Sequence, residues 1–134
     1  MNETPQLISM QVDLTNLDLD LTLLNEIADG SDEFIVESIG MFLEQTPQLL
    51  TTIAAAMEAG EWAEAGKASH KLKPNLGFFG MPISQATIQE VELGCKAGGQ
   101  NPEEIFAKFN QVKATVEANL VTLQQIKAEK EASL

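Results

Sequence analysis

From Leu21 onward, apolar residues return every three or four positions, the repeat of helices that each bury one face. Leu21, Leu24 and Ile27 predict a short first helix with Asp20 as its cap, stopped by Asp29-Gly30. Ser31, followed by Asp32 and Glu33, opens a second helix, because a hydroxyl and negative charge suit its free N–H groups and its dipole. Its stripe is Ile35, Ile39, Phe42, Leu49, Leu50, Ile53 and Met57, with Pro47 as a kink or break and an end near Gly60. A third helix buries Ala65, Ala68, Leu72, Leu76 and Phe79 and stops around Gly80. Pro82 suits the first position of a fourth, which carries Ile83, Ala86, Ile88, Val91 and Leu93 and closes at Gly98-Gly99. Asn101-Pro102-Glu103-Glu104 starts a long fifth helix through Ile105, Phe109, Val112, Val116, Leu120, Leu123 and Ile126.

Four substantial amphipathic helices joined by short connections pack most simply as an antiparallel four-helix bundle, with the short N-terminal helix laid across one end. The expected fold class is therefore all-α. Residues 1–13 are polar and expected to be frayed, leaving 14–134 as one helical bundle domain.

Composition narrows the function classes. At 134 residues the chain fits one domain with a real core, too short for a kinase with its own nucleotide-binding domain, and it has no glycine-rich phosphate loop. A net charge of -12, with eight lysines and no arginine, argues against nucleic-acid and anionic-membrane partners, which select basic surfaces. The single cysteine, Cys95, excludes an internal disulfide and is expected in the core or at its boundary; with one histidine it makes no usual zinc site. The N-terminus lacks a signal-peptide pattern and no apolar run is long enough to span a bilayer, so a cytoplasmic protein is expected.

That one histidine, His70, is the strongest lead to chemistry. On the helical wheel the core stripe of its helix lies opposite the ring, while Gly66, Gly77, Lys67 and Lys73 share its side. Glycine costs a helix about 1 kcal/mol relative to alanine, so Gly66 and Gly77 beside an exposed ring read as clearance for an approaching macromolecule. The lysines suit a ring that is to carry a phosphoryl group, whose negative charge they offset. Lys71 points to the rim. Glu90 and Glu92 read as solvated or helix-boundary charges, and the ring has no apparent clustered base, nucleophile or metal ligand, which disfavours a self-contained hydrolase or metalloenzyme. Phe34, Met41 and Gln45 flank the stripe of the second helix; boundary packing is one reading, an apolar docking rim with Phe78 the other.

His70-Lys71-Leu72-Lys73, with Gly80 ten positions after the histidine, resembles the signature of histidine-containing phosphotransfer (HPt) domains, relay modules of multistep two-component signalling. That signature is histidine, any residue, an aliphatic, lysine, usually glycine, a run of small residues, then glycine at the tenth place. Leu72 fills the aliphatic place, Lys73 the lysine, Gly77 a small-residue place, and Asn75 stands where a small polar residue is common. Upstream, the stretch from Leu23 to Phe34 with Phe42 to Pro47 is similar to the family's second-helix entry, and Met57 to Trp62 to its turn before the histidine helix. The departure is Pro74 in the usual glycine place: it has no N–H for the carbonyl of His70, so the helix is expected to bend or loosen there, freeing that carbonyl for water or a partner.

The resemblance implies the same bundle and a non-enzymatic relay. His70 would accept a phosphoryl group from a receiver-domain aspartate and pass it to another receiver. Lys73, then Lys67, would neighbour the phosphoryl group; Gly66, Gly77 and Gly80 would give clearance and end the helix; Phe34, Met41, Gln45, Lys71, Pro74 and Phe78 would meet the receiver. The chain would bind no metal or cofactor, magnesium being held by the partner receiver. Partners would be response-regulator receivers and a hybrid histidine kinase, from which the module could be freestanding or excised. The alternative is a helical adaptor or inhibitor that binds a receiver or kinase without relaying.

Overall fold

The computed structural model describes residues 18–134; the stretch expected to be frayed, 1–13, and the first residues of the expected domain lie outside them. Five helices follow in order: α1 Thr22–Ala28, α2 Asp32–Glu58, α3 Trp62–Phe78, α4 Pro82–Lys96 and α5 Pro102–Ala132. Helices α2 to α5 form the all-α, antiparallel four-helix bundle. Each packs on its chain neighbour and α5 closes the ring against α2, an up-down order that connections as short as 59–61 and 79–81 enforce. At 27 and 31 residues, α2 and α5 outrun the 17-residue α3 and 15-residue α4. The short α1 packs on α2, on the side of the α3–α4 turn.

Local chemistry sets the helix starts. The Phe34 N–H donates to the Ser31 hydroxyl at 3.1 Å, as the sequence predicts. Asp20 stands one place before the cap position of α1, accepting from the Thr22 N–H at 3.0 Å and from its hydroxyl. Pro82 and Pro102 open α4 and α5. The start of α4 is also bonded from far along the chain. Buried Asp18 accepts from the N–H groups of Ile83 and Ser84 at 2.8 and 2.9 Å, and the Asn119 amide on α5 donates to the Asp18 carbonyl at 3.0 Å.

Neither proline breaks its helix. Helix α2 runs through Pro47, and α3 through Pro74 to Phe78, without a break. Each is anchored on its apolar face by fully buried residues after the proline, Ile53 and Leu76. The apolar stripe of α4 also moves: Ile83 and Leu93 are 63% and 55% exposed, whereas Ser84, Ile88, Val91, Glu92 and Cys95 face the core. Of the five apolar residues read on that helix, Ile88 and Val91 are the two that are buried. Elsewhere the core follows the predicted stripes except in α1, where Ile27 is 51% exposed and Ala28 is buried instead, and Phe42 and Phe79 are in ring contact at 4.4 Å between centroids. No described helix is long and apolar enough to cross a membrane.

Candidate functional site

His70 lies in the middle of α3, on the face away from Leu72 and Leu76, which are fully buried. Its side chain is 63% exposed. Burial of the opposite face holds the helix rigid while the ring stands outside any enclosing cavity.

The ring does have an acidic partner. Nδ1 lies 2.8 Å from Oε2 of Glu92, which projects from α4 with only 4% of its side chain exposed. Lys73 donates to the other oxygen, Oε1, at 3.0 Å, and Lys96 to Oε2 at 2.7 Å. A second acceptor for Lys73 is Oε1 of Gln89, one turn back on α4. Burial alone would raise the pKa of Glu92, but the bonds from Lys96, Lys73 and His70 outweigh it and hold the carboxyl at about 2. An ionised carboxylate only accepts hydrogen bonds, so Nδ1 carries the hydrogen and Nε2 is the nitrogen left for an incoming group.

The reading of Glu92 as a solvated charge is therefore corrected, as is that of a histidine without a clustered partner; Glu90 does sit at the surface, 2.7 Å from Lys108. A signal for Glu92 was present in the spacing. Ile88, Val91 and Cys95 define a stripe that contains Glu92, and an acid on a buried stripe needs cationic partners. Lys96, one turn beyond it, was missed for the same reason.

Lys73 is half-buried and turned toward α4, beside the ring through their shared carboxylate. Lys67 is 72% exposed and reaches Glu64 at 3.6 Å, a weak surface pair. Lys71 and Pro74 are exposed.

The glycines divide. Gly66 does not clear space above the ring: it is buried, and an added Cβ would lie 3.4 Å from Cys95 Cβ and Lys96 Cγ. Its small size lets α3 and α4 approach closely. At Gly77 the space belongs to Gln85, whose amide fills it and donates to the Lys73 carbonyl at 3.3 Å. The clearance is thus taken up inside the protein, and a partner gains it only where Gln85 swings away. Gly80 ends α3 as expected; its φ of +69° suits glycine, and a side chain there would strike the Asp20 backbone.

On the α2 side of the histidine helix, Met41, Gln45 and Phe78 line one recess of about 180 Å³ with Ser38, Phe42, Asn75 and Phe79. Met41 is 57% exposed. Lys71 and Asn75 line the next recess with Gln45, Gln48, Leu49 and Thr52. Phe34, 37% exposed, is not in the lining of the first recess, and neither is Pro74. The exposed ring thus has a semi-apolar groove on one flank and a polar network on the other. Among the described residues, no three His, Cys, Asp or Glu side chains gather as metal ligands would.

A family model for the Hpt domain matches residues 37–128. Neither curated proteins nor solved structures give a match.

Proposed function

Because this chain belongs to the Hpt domain family, a family of histidine phosphotransfer modules that interact with receiver domains of two-component systems, we propose that it is a phosphorelay intermediary working through His70. The ring takes a phosphoryl group from the phosphoaspartate of one receiver and yields it to the aspartate of another. The carrying observation is the exposed ring on a rigid helix, its Nδ1 engaged by Glu92 and its Nε2 facing outward.

Such transfer depends on in-line approach and on charge balance. The receiver brings the aspartate and its magnesium; this chain brings a nucleophile and a surface. A phosphoryl group adds roughly two negative charges, and Lys73, which shares a carboxylate with the ring, is the first candidate to balance them. The Lys67 ammonium, on the solvent side, is second. Met41, Gln45 and Phe78 supply a groove beside the ring for receiver docking, with Lys71 at its rim.

The direct test incubates the purified protein with a phosphorylated receiver and magnesium and follows radiolabel into wild type and His70→Gln. Acid-labile, alkali-stable label is expected on the wild type and absent from the variant. No label on the wild type from a panel of competent receivers would replace the relay with a non-relaying adaptor that docks through the same groove.

A further inference from the structure

Resting on the relay reading of His70, we infer that the Gln85 amide is a displaceable plug. It fills the notch that Gly77 leaves in α3, and a docking receiver moves it aside to seat a lysine or arginine side chain on the Lys73 carbonyl beneath. Gln85 thereby sets how tightly a receiver binds.

The notch lies within reach of a docked protein. Seven residues separate Gly77 from His70, two turns and roughly 10 Å along the same side of the helix. A partner covers about 800 Å² of surface, a patch roughly 30 Å across, so a receiver centred on the ring overlies this glycine. With no Cβ at position 77, the backbone one turn back is bare. A helical carbonyl has two lone pairs and the helix uses one; the other one on Lys73 accepts from Gln85.

The amide is held loosely. Its Nε2–H donates at 3.3 Å, near the outer limit for such a bond, and both groups are neutral. Gln89, one turn further along α4, is held instead by the Lys73 ammonium, a charged donor and the stronger kind of tie. Room for Gln85 to swing lies beside it, because Gln85 and Gly77 both line a recess of about 350 Å³ that also takes in Asp20 and Glu26.

What the notch offers sets the chemistry of its occupant. Its floor is a carbonyl and the recess beside it carries two carboxylates, so it accepts hydrogen bonds and favours positive charge. The N–H groups at the start of α4 would favour an anion, but those of Ile83 and Ser84 are already bonded to Asp18. A lysine ammonium or an arginine guanidinium answers both features.

The test measures binding of a magnesium-loaded receiver by calorimetry, with each variant first shown to be folded by a denaturation curve. Gln85→Ala removes the plug and should tighten binding by roughly 2- to 10-fold, the worth of one neutral hydrogen bond. Gly77→Ala fills the notch with a methyl group and expels the amide, whose Cδ and Oε1 would lie 3.0 and 3.2 Å from the new carbon. It should weaken binding by about tenfold, and adding Gln85→Ala to it should restore nothing. Glu26→Gln should weaken binding by about 2- to 5-fold; unchanged affinity there overturns the cationic occupant. In nitrogen-15 NMR the wild-type Gln85 side-chain amide should shift as receiver is added to saturation, and a signal that stays in place overturns the plug. Gln85→Ala that binds as wild type makes the amide a strut between α3 and α4, and one that binds more weakly makes it a receiver contact; either result overturns the inference. If wild type binds no receiver, the relay reading fails and this inference with it. If wild type binds and takes label while Gln85→Ala changes nothing, this inference fails alone.

Discussion

Glu92 couples the site to acid stability in a way that can be measured apart from transfer. Its carboxyl sits at about 2 in the folded protein against an ordinary 4.5, so folding favours the ionised form. The resulting stabilisation is fully present above about pH 4.5 and is lost as pH falls toward about 2. Urea unfolding at stepped pH should therefore show wild type losing stability relative to Glu92→Gln across that window, with a constant gap above it. A pH-independent difference would mean that Glu92 is not held ionised by its three partners. His70 and Lys73 could be found from sequence because their spacing in one helix is a local property. Glu92 could not be joined to them, since 22 positions and a turn separate it from His70 and only helix packing closes that gap.

At the scale of the element, α3 presents the histidine and its contact with α4 builds the site. Gly66 stands at that contact, which yields a test of its packing role against the clearance role read from the helical wheel. Gly66→Ala adds a Cβ at ordinary contact distance from Cys95 and Lys96 and gains up to about 1 kcal/mol of helix propensity, so it should be neutral or stabilising with transfer retained. Gly66→Leu should overpack the interface, costing about 1–3 kcal/mol in chemical denaturation and slowing transfer as the Glu92 contact shifts. A leucine variant that keeps full stability but loses receiver docking would restore the clearance reading. Pro74 belongs to this scale as well. Its missing N–H and its ring predict loosening from local rules alone, but burial of Leu72 and Leu76 on the opposite face carries the helix through.

For the whole molecule, the bundle puts two different surfaces on either side of one ring. The α2–α3 groove is the proposed docking side, and Met41→Glu should weaken capture of a receiver by about tenfold, as expected for an anchor in an apolar recess. Because Met41 is exposed, its loss should change unfolding free energy by no more than about 0.5 kcal/mol. Binding measured by calorimetry alongside a denaturation curve checks both, and unchanged affinity would move docking to another face. The order of the described helices, the cap at Ser31, the starts at Pro82 and Pro102, and the exposure of His70 were all legible in the chain, because periodicity and capping act within a few residues. Which edge of α4 turns inward was decided only by tertiary packing. So were the Asp18 bonds to the start of that helix and the gathering of Glu92, Lys73 and Lys96 about the histidine. A buried charge is tolerable only where distant partners meet it, and those partners are brought together by the packing of α3 against α4 and by the return of the chain from residue 18 to 84.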